Sequence, residues 1–260
     1  MLNDSRLTTL VDYSDSRDCF PGVDIAGGVC YFLWERDRNG LCDITNIYKG
    51  KTTHSIRALN EFPVFIRHSV AVDIIKKVQS FKEPTLNDVV FSSKPFGFRS
   101  FEEGRKTKKT GDVEMLGSKS ITYVALSEVT VNQNEISRWK VVMSKASAEH
   151  AGQTDNEGRK KIVSRVELLA PGVICTETYL LLQTFSNQNE AENFVHYVKT
   201  RFFRFLLSTI LLTQNIAKDK FMFIPNLDFS NKWTDDILYS RYKLSKSEIE
   251  FIKSQIKEME

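Results

Sequence analysis

The sequence predicts an α/β fold of the mixed, α+β kind. Apolar runs of strand length are separated by Gly, Pro, Asn and Asp, the residues that form turns. Two other segments, 69–81 and 189–212, carry apolar residues at steps of three and four, which is typical of amphipathic helices. With 260 residues, 41% of them apolar and 27% charged, the chain is long enough to bury one or two cores.

The first fifty residues are predicted to form a β-hairpin. Residues 28–34 are a continuous apolar run, as expected of a buried strand, and a second, short strand is predicted over 41–47. Asn39-Gly40 between them is the strongest hairpin signal in the chain. We expect Asp24, in the preceding segment, to cap a turn or a sheet edge rather than to act in catalysis.

The rest of the chain is predicted to contain a helix, a β-rich region and three further helices. The first helix covers 69–81 and ends before Pro84. Strands are predicted over 120–126, 140–143, 162–169 and 173–183. Helices follow over 189–212, 235–242 and 246–259, and Ser245 and Glu248 form a capping box at the start of the last one.

Three stretches of the chain resemble a known enzyme family. They are Phe-Pro-Gly-Val-Asp-Ile-Ala-Gly-Gly-Val-Cys-Tyr-Phe-Leu-Trp at 20–34, Ser-Lys-Pro-Phe-Gly-Phe-Arg at 93–99, and the segment 223–252 with Ile-Pro-Asn-Leu-Asp-Phe and Trp-Thr-Asp-Asp. They are similar to the region in which the catalytic domain of Eco57I-type adenine-N6 DNA methyltransferases ends and the target-recognition region begins. The order of a strand at 173–183 and a long helix also resembles the target-recognition domains of type I specificity subunits.

The resemblance implies a division of the chain into three parts. Residues 1–50 would be a C-terminal remnant of the methyltransferase catalytic domain, which completes that domain's sheet, and 51–84 a linker with one helix. Residues 85–260 would be the target-recognition domain, which binds double-stranded DNA of a restriction-modification system.

Two motifs that such a methyltransferase requires are missing from this chain. None of its twelve glycines forms Gly-x-Gly, the kind of loop that lets backbone N–H groups approach S-adenosylmethionine. None of its six prolines is adjacent to another, so the Asn-Pro-Pro-Tyr-type motif that grips a flipped adenine is absent as well. We therefore expect no cofactor in this chain, S-adenosylmethionine as the methyl donor of the intact system, and no catalysis by the chain alone.

The strongest candidate for DNA contact is the stretch Ser92–Gly111, called the basic loop below. Six basic and two acidic residues give it a local charge of +4, and Phe96, Phe98 and Phe101 are interleaved. Lysine and arginine on a glycine-containing loop can approach phosphates and release counterions. The alternative is a solvated loop whose charge is incidental. The predicted DNA-binding residues are Lys94, Arg99, Arg105, Lys106, Lys108 and Lys109.

A second basic stretch is predicted to form a rim that follows the phosphate backbone. It consists of Ser144 and Lys145 before the polar loop 148–158, and of Arg159, Lys160 and Lys161 after it. A flexible surface loop is the alternative, because acidic residues in 149–157 partly cancel the charge. Lys199, Arg201 and Arg204 are expected on the solvent-exposed face of the long helix.

Two other functions are alternatives to DNA recognition. The first is a type II restriction endonuclease that cuts DNA with Mg²⁺, although no acidic residue is followed by x-Lys, as the common nuclease motif requires. The second is a partner-binding subunit that docks on a separate methyltransferase catalytic subunit through the hairpin 28–47. The four histidines are scattered without metal-ligand spacing, so no metal is expected.

The sequence predicts a cytoplasmic protein. The first residues lack the apolar segment of a signal peptide, and the longest largely apolar run, 205–212, is far shorter than the ~20 residues that span a bilayer. The four cysteines show no Cys-x-x-Cys spacing. The net charge of +3 is mild for a DNA-binding protein, so affinity for DNA must come from local patches.

Overall fold

The computed structural model confirms the mixed α+β class. It describes residues 1–23, 25, 27–48, 50–146, 155, 157–211 and 215–259. The chain divides into two compact units, one built from Met1–Lys77 and the other from residues of 78–260, with the division inside a helix. Asp24 and most of the polar loop 148–158 lie outside the described residues.

The first unit is a four-stranded mixed sheet with one helix. The strands are β1 (Leu7–Tyr13), β2 (Val29–Trp34), β3 (Cys42–Tyr48) and β4 (Lys51–Arg57), and their order across the sheet is β2-β1-β3-β4. Strand β1 runs antiparallel to β2 and parallel to β3, while β3 and β4 are antiparallel. Helix α1 (Ser69–Ser80) follows as predicted. A small core of Leu7, Leu10, Cys42, Ile44 and Leu59 supports this sheet.

The predicted hairpin of residues 28–34 and 41–47 is wrong. Strand β1 lies between these two segments, with Leu10 paired to Phe32 on one side and to Ile44 on the other. Gly40 is not in a two-residue turn, and its N–H donates to the carbonyl of Ser5. A local turn signal favours pairing between strands that are adjacent in sequence. Here both segments pair instead with β1, which precedes them in the chain.

The prediction that residues 28–34 are buried is also wrong. Strand β2 is at the edge of the sheet, and Tyr31, Phe32, Leu33 and Trp34 are 41–57% exposed. The apolar run was a correct indication of a strand, because β propensity depends on side-chain type. Whether the side chains of a strand are buried depends also on which other elements pack against that strand.

In its described residues, the second unit contains two three-stranded sheets and five α-helices. One sheet has the order β10-β7-β8 and the other β6-β5-β9. The strands are β5 (Asp112–Leu116), β6 (Ile121–Ala125), β7 (Trp139–Ser144), β8 (Val166–Leu169), β9 (Val173–Cys175) and β10 (Tyr179–Phe185). The helices are α2 (Leu86–Val89), α3 (Gln188–Lys199), α4 (Arg201–Ser208), α5 (Asp235–Arg241) and α6 (Lys246–Gln255).

Several predicted elements of this unit need correction. The single strand predicted over 173–183 is two strands, β9 and β10, which belong to different sheets. The turn between them contains the hydrogen bond from Tyr179 N–H to the Thr176 carbonyl. Strand β5 and the short helix α2 were not predicted, whereas α5 and α6 were. The capping box of Ser245 and Glu248 is present at the start of α6.

The long helix predicted over 189–212 is broken at Thr200. This residue has extended backbone angles, φ −61° and ψ 150°, so it ends α3 and begins α4. Its hydroxyl accepts the N–H of Phe203 at 3.1 Å. The Asp235 carboxylate accepts the N–H groups of Arg201 and Phe202 at 3.0 and 2.8 Å. The first N–H groups of α4 are therefore satisfied without a preceding helical turn.

Candidate nucleic-acid interface

The basic loop is anchored to the rest of the second unit at two places. Phe96 is fully buried and Phe98 nearly so, and both belong to a core cluster with strands β5, β6, β7 and β10. Further along the loop, Arg105 exchanges two main-chain hydrogen bonds with Tyr123 of β6, at 2.7 and 2.9 Å. Of the three interleaved aromatic residues, only Phe101 is exposed, at 75%. The loop is therefore held in place while its middle part faces solvent.

Gly104 explains why the loop can approach β6 so closely. Its N–H donates to the Thr122 hydroxyl at 3.2 Å. A Cβ atom at this position would lie 2.5 Å from the carbonyl oxygen of Tyr123, which is main chain and cannot move aside. Only glycine fits at this contact.

The Arg105 side chain forms ion pairs with two carboxylates. Its guanidinium forms an ion pair with Asp112 and another with Glu128 at 3.4 Å. The N–H of Lys109 and the Arg105 guanidinium both lower the pKa of the Asp112 carboxyl. Because its charge is compensated within the protein, the structure gives Arg105 a structural role in the loop; whether it also reaches DNA stays a prediction.

The side chains of five other cations of the basic loop form no close ion pair among the described residues, although the charge of Lys109 contributes to lowering the Asp112 pKa. Four are exposed and one is half-buried. Lys108 has an additional contact, since its ammonium lies 6.0 Å from the centre of the Tyr123 ring. These five cations are Lys94, Arg99, Lys106, Lys108 and Lys109.

Ser144 and Lys145 connect the second basic stretch to the basic loop. The ammonium of Lys145 donates to the Ser93 hydroxyl at 2.8 Å. The hydroxyl of Ser144 lies 2.5 Å from that of Ser164, and the ammonium of Lys161 donates to the Ser164 carbonyl at 3.3 Å. The structure thus brings parts of the two predicted stretches together through Ser93 and Ser164, two serines that the sequence reasoning did not single out.

Arg159 and Lys160 are used within the protein. Arg159 pairs with Asp155 at 3.1 Å and with Glu157 at 2.9 Å. These contacts lower the pKa of the Asp155 carboxyl, mainly through the Arg159 N–H. The main chain of Lys160 exchanges hydrogen bonds with Gln255 and Lys257. Their sequence neighbourhood predicted a phosphate contact, and no structural observation tests that prediction.

The expectation that Arg204 faces solvent is wrong. This side chain is fully buried, and its guanidinium donates to the carbonyls of Lys199, Thr200 and Lys161 at 3.1–3.2 Å. Five fixed N–H donors let an arginine serve several carbonyls at once. Arg204 therefore links the start of α4 to the second basic stretch.

Two further features bear on the class of protein. Among the described residues, no three His, Cys, Asp or Glu side chains form a group that could hold a metal ion. No helix in the described part of the chain has the length and apolar character needed to cross a membrane.

Comparison with known proteins gives a partial relationship. No family model matches the chain. Over 79 residues the chain is 35% identical to an uncharacterized adenine-specific methylase of Mycoplasma pneumoniae. The matched part is 26% of this chain and 19% of the relative, so the chain spans about a fifth of that protein's length. Part of the chain is thus related in sequence to a protein described as a methylase of adenine.

Proposed function

We propose that this protein is the DNA-recognition part of an adenine-N6 DNA methyltransferase of the Eco57I restriction-modification type. Two findings together support the proposal. Part of the chain is similar to an adenine-specific methylase, and an anchored loop presents five cations whose side chains form no close ion pair among the described residues.

In the proposed mechanism, the basic loop follows the phosphate backbone of double-stranded DNA. Lys106, Lys108 and Lys109 neutralise phosphates and release counterions, which supplies affinity irrespective of sequence. Arg99 and Lys94 are placed where the loop leaves the core, and an arginine there can make a bidentate contact to a guanine edge. Because Phe96 and Phe98 fix the main chain of the first part of the loop, little backbone entropy is lost there when DNA binds.

The chemistry itself belongs to another part of the intact system. S-adenosylmethionine and the pocket for the flipped adenine are supplied by a catalytic domain that carries the two motifs missing here. The recognition part holds the duplex so that the target base reaches that pocket. We place the whole system in the cytoplasm, together with the DNA on which it acts.

The endonuclease alternative has no supporting observation. The common motif for cleavage with Mg²⁺ needs an acidic residue followed by x-Lys, and no acidic residue of this chain is followed by x-Lys. The partner-binding alternative is compatible with DNA recognition, because docking on a catalytic subunit and contact with DNA use different units of this chain.

The test is binding of the purified chain to a randomised duplex pool across a salt series, with Mg²⁺ present and products sized on a gel. We expect salt-sensitive binding with sequence enrichment and without cleavage. The variant K106Q/K108Q/K109Q should bind more weakly, and its slope of log affinity against log salt should be smaller by roughly 3, about 1 for each lost phosphate contact.

A matched control removes three lysines elsewhere in the same unit. K246Q/K253Q/K257Q changes the net charge by the same amount at exposed positions on and after α6. Its salt slope should equal that of the unmodified protein. Equal slopes for both triple variants would contradict a role of the basic loop, and cleavage of the pool would establish the endonuclease instead.

A further inference from the structure

Phe101 is the most exposed large apolar side chain in the described part of the chain, with 75% of its surface accessible. It belongs to the basic loop, whose other two aromatic residues, Phe96 and Phe98, are packed in a core cluster of the second unit. Single exposed apolar residues are common on protein surfaces. What sets Phe101 apart is its fixed position and the distribution of charge around it.

Three hydrogen bonds hold the main chain at Phe101 in a turn. The N–H of Glu102 donates to the Arg99 carbonyl at 3.2 Å and closes the turn, in which Phe101 is the third residue. The N–H of Arg99 donates to the Glu102 carboxylate. That of Ser100 donates to the carboxylate of Glu177, in the segment between β9 and β10, at 3.3 Å. Since the turn is already formed, little main-chain entropy would be lost when a ligand covers the Phe101 ring.

The charges of the basic loop are divided at Gly104. Residues 105–109 contain four cations and no acidic residue, whereas residues 99–103 contain one arginine and two glutamates. Lysines attract the phosphates of a nucleic acid, and carboxylates repel them. The faces of bases, in contrast, are uncharged and stack on aromatic rings. The second part of the loop is therefore suited to phosphates, and the turn with Phe101 is suited to bases.

Both parts of the loop can reach the same duplex. Phe101 and Lys106 are five positions apart, and five residues span at most roughly 18 Å. The grooves of B-form DNA are about 6 to 12 Å wide, so base edges and the phosphates beside them lie closer together than this distance. A duplex whose backbone contacts Lys106, Lys108 and Lys109 thus brings its bases within reach of the Phe101 ring.

We propose that Phe101 inserts its ring between two adjacent base pairs of the bound duplex and opens that step, while Lys106, Lys108 and Lys109 hold the phosphates beside it. Apolar side chains that act as wedges unstack a base step and kink the duplex. Pyrimidine–purine steps unstack most easily, so the recognised sequence should contain one at the position of the ring. The inference rests on the proposed function, since it requires duplex binding, and it adds DNA deformation as a source of specificity.

The first measurement is binding of Phe101→Ala to a duplex selected from the randomised pool, across a salt series. We expect about tenfold weaker binding, as for the loss of one stack between a base and an aromatic ring. The slope of log affinity against log salt should not change, because no phosphate contact is lost. Phe101→Trp keeps a stacking ring and should bind nearly as the unmodified protein does. Ile237→Ala, which truncates an exposed apolar side chain on α5, is the matched control and should change neither quantity.

Permanganate footprinting of the same complexes locates the opened step. Permanganate oxidises thymines that are unstacked, and the flexible TA and CA/TG steps each contain a thymine. At saturating protein concentration, we expect one thymine of increased reactivity with the unmodified protein and with Phe101→Trp. With Phe101→Ala, that thymine should react as it does in free DNA.

Failure of the wedge and failure of DNA recognition give different results. Salt-sensitive, sequence-enriched binding that Phe101→Ala leaves unchanged, or that unstacks no thymine, would keep DNA recognition and overturn the wedge. A smaller salt slope for Phe101→Ala would mean that the substitution disturbs phosphate contacts, which also contradicts a stacking role. No binding of the unmodified protein at low salt would overturn both.

Discussion

Lys140 shows how a basic residue can serve the fold instead of a ligand. It lies on β7, is fully buried, and its ammonium donates to the carbonyls of Glu135, Ile136 and Arg138 at 2.6–3.3 Å. Burial lowers the pKa of this ammonium to about 8. One side chain thus donates to three carbonyls at the end of a 3-10 turn, two of which also accept a main-chain N–H, so the turn is fixed to the strand that follows it.

Lys140→Met should lower the free energy of unfolding by about 1–3 kcal/mol at pH 7, because the Arg138 carbonyl loses the ammonium that donates to it. The folded protein releases the Lys140 proton near pH 8, and the unfolded chain does so only near pH 10.5. Between these values the unfolded state binds more protons, so this group makes the folded state more stable as pH rises, by at most ~1.4 kcal/mol per pH unit.

The measurement is urea unfolding of both proteins from pH 7 to pH 10. The difference between unmodified protein and variant should increase above pH 8. Lys253→Met, at an exposed position on α6, is the control and should show a difference that does not change with pH. A pH-independent difference for Lys140→Met would contradict the shifted pKa.

At the scale of single residues, the sequence indicated which side chains are charged but not which charges are used internally. Arg105 pairs with Glu128, 23 positions away, and Arg204 donates to Lys161, 43 positions away. Such partners are set by the tertiary fold. Local charge counting cannot identify them, and it therefore grouped paired and unpaired cations of the basic loop together.

At the scale of elements, Thr200 separates two helices that sequence periodicity joins. Phe194, Val198, Phe202 and Phe205 continue one apolar stripe across the break, which is why a single helix was predicted. The break is stabilised by Asp235, which lies 34 positions after Arg201 in the chain. A contact over that separation leaves no local pattern, although the Thr200 hydroxyl is itself a common helix cap.

Thr200→Ala should lower the free energy of unfolding by about 1 kcal/mol, because the N–H of Phe203 loses its acceptor. Thr200→Ser keeps the hydroxyl and should cost clearly less. Urea unfolding of the three proteins at neutral pH measures both effects. Equal stability of the alanine variant and the unmodified protein would mean that the Thr200 hydroxyl contributes nothing to capping.

The strands show a similar limit of local reasoning. Most strand positions of the second unit followed from apolar runs and turn residues, but their assignment to sheets did not. The separation of β9 from β10 and the insertion of β1 between β2 and β3 both involve long-range pairing. Register and neighbour choice depend on main-chain partners that the side-chain pattern of one strand does not specify.

At the scale of the whole molecule, the chain is expected to recognise DNA without modifying it. Incubated with duplex DNA and S-adenosylmethionine labelled in the methyl group, it should transfer no label, because its sequence lacks both the Gly-x-Gly loop and adjacent prolines. Scintillation counting of the recovered DNA is the measurement, with an active adenine methyltransferase as positive control. Label transferred by this chain alone would contradict the proposal that this chain recognises DNA and a separate catalytic domain methylates it.

The sequence predicted the fold class and the location of the basic loop in the chain. It did not predict that the apolar run near the start of the chain would be the most exposed strand. The exposure of β2 follows from its position at the edge of the sheet. The sequence pattern of one strand does not specify whether the strand lies at an edge or in the interior.

The exposed strand also carries a reactive atom. Of the four cysteines, all among the described residues, Cys30 on β2 is exposed, Cys19 is half-buried, and Cys42 and Cys175 are buried. Alkylation or oxidation of the Cys30 thiol would add bulk or charge at this edge of the sheet. We therefore expect thiol-modifying reagents to alter β2 first, while Cys42 and Cys175 stay protected within their cores.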